Sequence, residues 1–221
     1  MKLVLCLLTC ASLLSCTSSK SGDSFTPPTG KVIFSEDFKP EGLKNLEERF
    51  FVLGGRYTPS RMGGRHTISS SYSGVTQNGL LFGPKDLKNY TLEASFFFTS
   101  TAGDTIATGL GGGGQSGFKI HLVPQSNNTG ILRITLNGAV YDQRNIKMVP
   151  DTWYKVYLKV SHKDGDCHVM STVSNEKNTP STWLVKHIFN RSDFSGQVSV
   201  LSYPISRIPV YIDDIAIRSH E

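Results

Sequence analysis

Cysteine is almost missing from the body of this chain. The sequence holds four, and Cys6, Cys10 and Cys16 all fall in or just after an apolar leader. Once that leader is lost, Cys167 is the one thiol beyond position 16, too few for an intramolecular disulfide or a cysteine-rich zinc site. The fold must then be held by its core alone. Helical periodicity is nearly absent as well, and only 41–51 offers a turn or two of helix. No apolar run reaches membrane length. The longest, Leu3 to Leu14, is interrupted by Thr9 and Ser12 and is too short to span a bilayer comfortably. Gly111 to Gly114 is followed by neither the Lys-Ser/Thr nor the helix of a phosphate cradle, so it reads as a hairpin turn. There is no internal repeat. Excess charge is slight: the formal +5 falls by one with Lys2. That balance fits an acidic polymer without requiring one, and it points to no nucleic acid.

The leader has the layout of an export signal, with Lys2 before the apolar stretch. It ends in Leu13-Leu14-Ser15-Cys16, which resembles the lipobox of bacterial lipoproteins. The resemblance implies that residues 1–15 are removed and that the thiol of Cys16 carries diacylglycerol. The chain is then expected at the outer membrane or cell surface, with Thr17, in place of an Asp, leaning toward the outer membrane. An ordinary secretory signal is the alternative. Residues 16–30, rich in Ser, Thr, Gly and Pro, have almost nothing to bury and are expected to form an extended or disordered tether. Residues 31–221 suffice for one domain with a substantial core.

What this domain does have is alternation. Runs at 31–35, 48–53, 67–71, 78–82, 90–99, 105–110, 117–123, 131–137, 153–162, 166–175, 183–188, 196–203 and 209–218 read as strands separated by Gly, Asn, Asp, Ser and Pro. So many strands without crossover helices imply an all-β antiparallel sandwich. Parity assigns faces. Tyr154, Val156, Leu158 and Val160 point to the core, as do Phe118, Ile120 and Leu122. So do Leu132, Ile134 and Leu136, and Tyr90, Leu92, Ala94, Phe96 and Phe98. Their neighbours Trp153, Lys155, Tyr157, Lys119, His121 and Arg133 point outward.

Several segments resemble concanavalin A-like lectin/glucanase domains, a superfamily that includes laminin G modules. They are Lys31-Val-Ile-Phe-Ser-Glu-Asp-Phe38, Tyr90-Thr-Leu-Glu93, Asp151-Thr-Trp-Tyr-Lys-Val-Tyr-Leu-Lys-Val160, Phe194-Ser-Gly-Gln-Val-Ser-Val200 and Val210-Tyr-Ile-Asp-Asp-Ile-Ala-Ile217. The resemblance implies a two-sheet antiparallel jelly roll. That fold hosts lectins, laminin G-like protein-interaction modules, glycosidases and polysaccharide lyases, so it does not by itself choose an activity.

The outward residues suit a polysaccharide or other glycan. Trp153 and Tyr157 offer rings for the C–H faces of sugars; Arg133, Lys119, Lys155, Asn137 and His121 offer donors. Such basic donors favour uronic or sulfated sugars. Trp153 packing beneath a loop is the structural alternative. Asp213-Asp214 poses a second problem, because without a bulge one carboxylate must face the core side and requires a partner. Either an Arg or a structural Ca²⁺ meets that need. The superfamily often places calcium where first and last strands meet, which would enlist Glu36 and Asp37 beside Asp213 and Asp214. The stretches 54–57 and 61–66 read as loops carrying cations. No Glu-x-Asp-x-x-Glu pattern of the glycosidases is present. Lys119-Ile120-His121 departs from the Gln-Ile-His of jelly-roll lyases, leaving His121 with Tyr141 as the candidate pair for elimination. A non-catalytic binding domain is the leading expectation.

Overall fold

The computed structural model describes residues 23–40, 46–71, 77–99, 107–190, 194–203 and 208–220. The leader and Cys16 lie outside them. Among the described residues no helix is long and apolar enough to cross a membrane.

Among the described residues fifteen strands run in chain order: β1 Lys31–Glu36, β2 Phe51–Gly54, β3 Arg56–Met62, β4 Arg65–Ser71, β5 Asn78–Phe82, β6 Tyr90–Phe98, β7 Ala107–Gly111, β8 Lys119–Gln125, β9 Thr129–Leu136, β10 Ala139–Lys147, β11 Thr152–Lys163, β12 Asp166–Asn175, β13 Val185–Phe189, β14 Val198–Tyr203 and β15 Val210–Ser219. Among the described residues a helical turn spans Leu46–Arg49. Every pairing is antiparallel. One sheet has eight strands in the order β13-β12-β11-β6-β15-β4-β3, with β1 added against β15; the other has seven, in the order β10-β9-β8-β7-β14-β5-β2.

Alternation predicts the core well. Tyr90, Leu92, Ala94, Phe96, Phe98, Val156, Leu158 and Val160 from one sheet meet Leu110, Phe118, Ile120, Leu122, Leu132 and Ile134 from the other in one buried cluster. Each large aliphatic or aromatic side chain so buried contributes roughly 1.5–3 kcal/mol. Cys167 is a buried thiol near the start of β12, used as a small apolar residue. Two-residue turns close the hairpins: Asn137-Gly138 (φ 50° and 82°) joins β9 to β10, and Asp164-Gly165 (φ 52° and 88°) joins β11 to β12. These doubly left-handed pairs match the twist of the strands they connect.

Two strands escape the pattern. β3 and β10 are edge strands with mostly exposed or half-buried side chains, so neither carries the apolar stripe that announces a strand. The stretches expected as loops around 54–66 are instead the β3–β4 hairpin. Nor is residue 23 onward a free tether. Phe25 N–H donates to Ser181 O (2.9 Å), Trp183 N–H to Asp23 O (3.1 Å), and Lys186 Nζ meets Asp23 Oδ2 at 3.2 Å. Phe25 is buried between Tyr157 and Trp183, with ring centroids at 5.1 and 5.0 Å.

Candidate functional site

Parity states which side of its own strand a residue occupies, not which sheet the strand joins. Here that distinction divides the expected glycan face in two. Lys119, His121, Arg133 and Asn137 belong to β8, β9 and the turn after it, on the seven-stranded sheet; Trp153, Lys155 and Tyr157 belong to β11, on the eight-stranded sheet. Both sets do point away from the shared core, so they lie on opposite outer surfaces of the sandwich. They do not form one groove.

On the seven-stranded sheet, β8 and β9 pair so that His121 faces Arg133 and Lys119 faces Thr135. A cavity of about 250 Å³ opens over this pairing, lined by Lys119, His121, Thr135, Asn137, Gln77 and Tyr203. His121 Nε2 shares a hydrogen bond with Thr135 Oγ1 (2.8 Å), and its ring lies 5.3 Å from that of Tyr203. Among the described residues its buried Nδ1 has no hydrogen-bond partner, and neither has Arg133 Nε. Burial, reinforced by the positive charges of Arg133 and Lys119, drives the imidazole pKa down to about 4, so His121 is neutral at pH 7. Burial pushes the Tyr203 phenol up to about 12, against the opposing pull of Arg133. Lys119 Nζ reaches Gln77 Oε1 at 3.4 Å. Among the described residues the lining contains no carboxylate, so the pocket presents donors, the Lys119 ammonium with the Arg133 charge nearby, and a neutral ring nitrogen.

Tyr203 was not among the sequence candidates. It closes β14, remote in sequence, and reaches His121 only because β14 and β8 flank β7. Tyr141, expected to partner His121, instead packs against His187 and Phe189 at 4.6 and 5.1 Å, on the β10–β13 side of the sandwich.

On the eight-stranded sheet the two expected sugar platforms are covered. Trp153 is only 5% exposed: the Arg65 guanidinium lies 4.8 Å above its ring, and Phe97 packs at 5.4 Å. Tyr157 is roofed by Phe25. The Asp213-Asp214 pair is resolved by a bulge in β15, with register shifting between Asp213 and Ala216 and Asp214 at φ 49°. Arg65 answers both acids, with Nη1 at 3.1 Å from Asp214 Oδ2 and 3.7 Å from Asp213 Oδ2. Even so, burial and the neighbouring Asp214 raise the Asp213 pKa to about 6.

The four acids expected to hold calcium do not form a cage. Glu36 pairs with Arg49 and accepts from Phe38 N–H (2.8 Å), and Asp37 pairs with Lys39 at 2.6 Å. Among the described residues no group of three or more His, Cys, Asp or Glu is placed to hold a metal ion. The residues present do not fit the ion, because arginine and lysine already supply the positive charge.

No protein-family model matches the chain, and no curated protein matches its sequence. Solved structures do match its shape. The lectin UEA-II complexed with galactose aligns over 87% of this chain and 100% of its own length, at 10% identity and TM-score 0.59. Carbohydrate-binding module CBM66 from Bacillus subtilis aligns over 77% and 95%, at 8% identity and TM-score 0.54. A third structure comes from work on endo-acting O-glycanases that prominent members of the human gut microbiota express to initiate mucin breakdown; it aligns over 86% and 100%, at 9% identity and TM-score 0.56. At such identities the likeness is one of fold: this chain has the concanavalin A-like jelly roll.

Proposed function

We propose that this chain is a glycan-binding protein whose pocket on the seven-stranded sheet takes a sugar unit bearing a carboxylate or sulfate. The observation that carries this reading is the charge at the pocket: Lys119 lines it, Arg133 sits across from His121 in register, and no acid lines it among the described residues. Guanidinium and ammonium groups donate to an oxyanion with charge-assisted hydrogen bonds. Asn137, Thr135 and Tyr203 are left for hydroxyls, and the volume suits one ring better than a drug-sized ligand. The UEA-II and CBM66 folds support the glycan part. Calcium has no role in this reading, since the acids proposed to bind it are each met by a cation of the chain. The experiment is a glycan array with titration of acidic oligosaccharides. Affinity lost in Arg133→Ala and Lys119→Ala supports the pocket; unchanged affinity in both overturns it.

A second reading, elimination from a uronate, is favoured by the contact between His121 and Tyr203. Neutral His121 Nδ1 would take the proton beside the carboxylate as the C4–O bond breaks and a C4=C5 double bond forms. Tyr203 O–H would protonate the departing oxygen. An imidazole with pKa near 4 is a weak base, which ranks this activity second. Ultraviolet-absorbing unsaturated products, abolished in His121→Ala, would establish it. A glycosidase of the same fold would need paired carboxylates at this pocket, and its lining has none. A laminin G-like protein contact would leave glycan affinity absent throughout.

We infer that the domain stands at the cell surface or outer membrane, held by lipid on Cys16. The leader ending in Leu13-Leu14-Ser15-Cys16 supports that placement. Labelling with a palmitate analogue, lost in Cys16→Ala, tests it.

A further inference from the structure

The eight-stranded sheet holds one carboxylate in loose ion pairs. Glu93 on β6 is 7% exposed. Its cations stand at 3.5 Å (Arg218 Nε) and 4.0 Å (Lys155 Nζ), long for hydrogen bonds. Lys155 is equally suspended on its other side, 3.9 Å from Asp214 Oδ2. Groups held at such lengths keep hydrogen-bonding capacity for a ligand.

Glu93 faces a cavity. A space of about 460 Å³ is lined by Glu36, Asp37, Arg49, Glu93, Lys155 and Asp214. A second, of about 210 Å³, is lined by Arg65, Trp153, Lys155, Ser174, Asn175 and Asp214. The two adjoin at Lys155 and Asp214, which line both, and together they lie across β15, β6, β11 and β12. With strands about 4.8 Å apart, crossing four of them takes roughly 14 Å. Acids and bases are nearly equal in number in these linings, unlike the pocket on the opposite sheet, which has no carboxylate among its described lining residues.

We propose that this groove is a second saccharide site, for a neutral sugar chain, in which Glu93 and Asp214 accept from neighbouring hydroxyls while Lys155 donates between them. Ion pairs this long leave N–H groups and lone pairs able to bond a hydroxyl that approaches from the groove, and a nearly balanced groove offers little net attraction to a charged ligand. The proposal rests on the glycan-binding reading and makes the domain two-sided, with an acidic sugar held on one sheet and a neutral chain on the other.

The test is isothermal titration of the whole chain with cellotetraose, xylotetraose, mannotetraose and galactotetraose, beside one acidic oligosaccharide. At least one neutral tetramer should bind. Glu93→Gln, which keeps shape and removes charge, and Lys155→Met should each weaken that binding tenfold or more. Arg133→Ala should leave it unchanged, and neither groove variant should alter binding of the acidic ligand. Thermal melts confirm that each variant folds. Binding by none of the four tetramers, or equal affinity in both groove variants, overturns the proposal. Neutral binding lost with Arg133→Ala overturns it too, by assigning both ligands to one pocket. Failure of the acidic ligand alone counts against the first pocket and leaves this site standing.

Discussion

The ring of Phe25 rests 5.1 Å from that of Tyr157, tilted by 55°. This contact turns the end of the N-terminal segment into part of the domain, because Phe25 completes an aromatic trio with Trp183 and its backbone bonds beside β12. Phe25→Ala should lower stability by about 1–2 kcal/mol, less than a fully enclosed core phenylalanine, since only one short segment is released. Urea melts check this, and an unchanged midpoint would show that the clamp holds nothing.

His121 makes stability depend on pH in a definite direction. Its folded-state pKa, about 4, lies below the ordinary 6.5. Above pH 6.5 both states are neutral and the contribution is complete. As pH falls from there toward 4, the unfolded chain takes a proton that the folded one refuses, and stability is lost, up to about 3 kcal/mol. His121→Gln should remove this dependence in denaturation curves recorded from pH 7.5 to 4.

Asp213 acts in the opposite sense over much the same range. Its pKa is raised from 3.8 to about 6, so its contribution is complete below 3.8 and is lost as pH rises through 6. At pH 7.5 the buried charge costs on the order of 2 kcal/mol. Asp213→Asn should therefore stabilise the protein at pH 7.5, with the gain shrinking toward pH 4. A destabilised variant at pH 7.5 would mean that the Arg65 pairing outweighs desolvation.

Chelation should do little. With Glu36 held by Arg49, Asp37 by Lys39 and Asp213-Asp214 by Arg65, the melting midpoint should be the same with and without EDTA. A fall of several degrees would restore calcium to this fold.

Binding at the pocket should be salt-sensitive and local. Removing Arg133 or Lys119 should cost about 1.5–3 kcal/mol each, roughly tenfold to over a hundredfold in affinity for an acidic oligosaccharide. Higher ionic strength should weaken the wild type more than either variant.

Alternation along β6, β8, β9 and β11 was sufficient to name the core, because burial on one face of a strand leaves a period of two in the sequence. It missed β3 and β10, whose positions at sheet edges remove the need for an apolar face. It placed Lys119, His121 and Arg133 outward correctly, yet it joined them with Trp153 and Tyr157 from the other sheet. It passed over Tyr203, and the pairing of His121 with Tyr141, drawn from the lyase comparison, fails because Tyr141 packs against His187 and Phe189.

The amino-acid order by itself determined an all-β sandwich, its inward residues and its outward basic ones, since these follow from solvent and period along a single strand. Only the tertiary structure decided which strands became neighbours, and so which outward groups share a pocket. Strand order is set by contacts between residues far apart in the chain. The same long-range packing brought Arg65 to Asp213 and Asp214, Phe25 to Tyr157, and Glu93 to a groove it shares with Lys155.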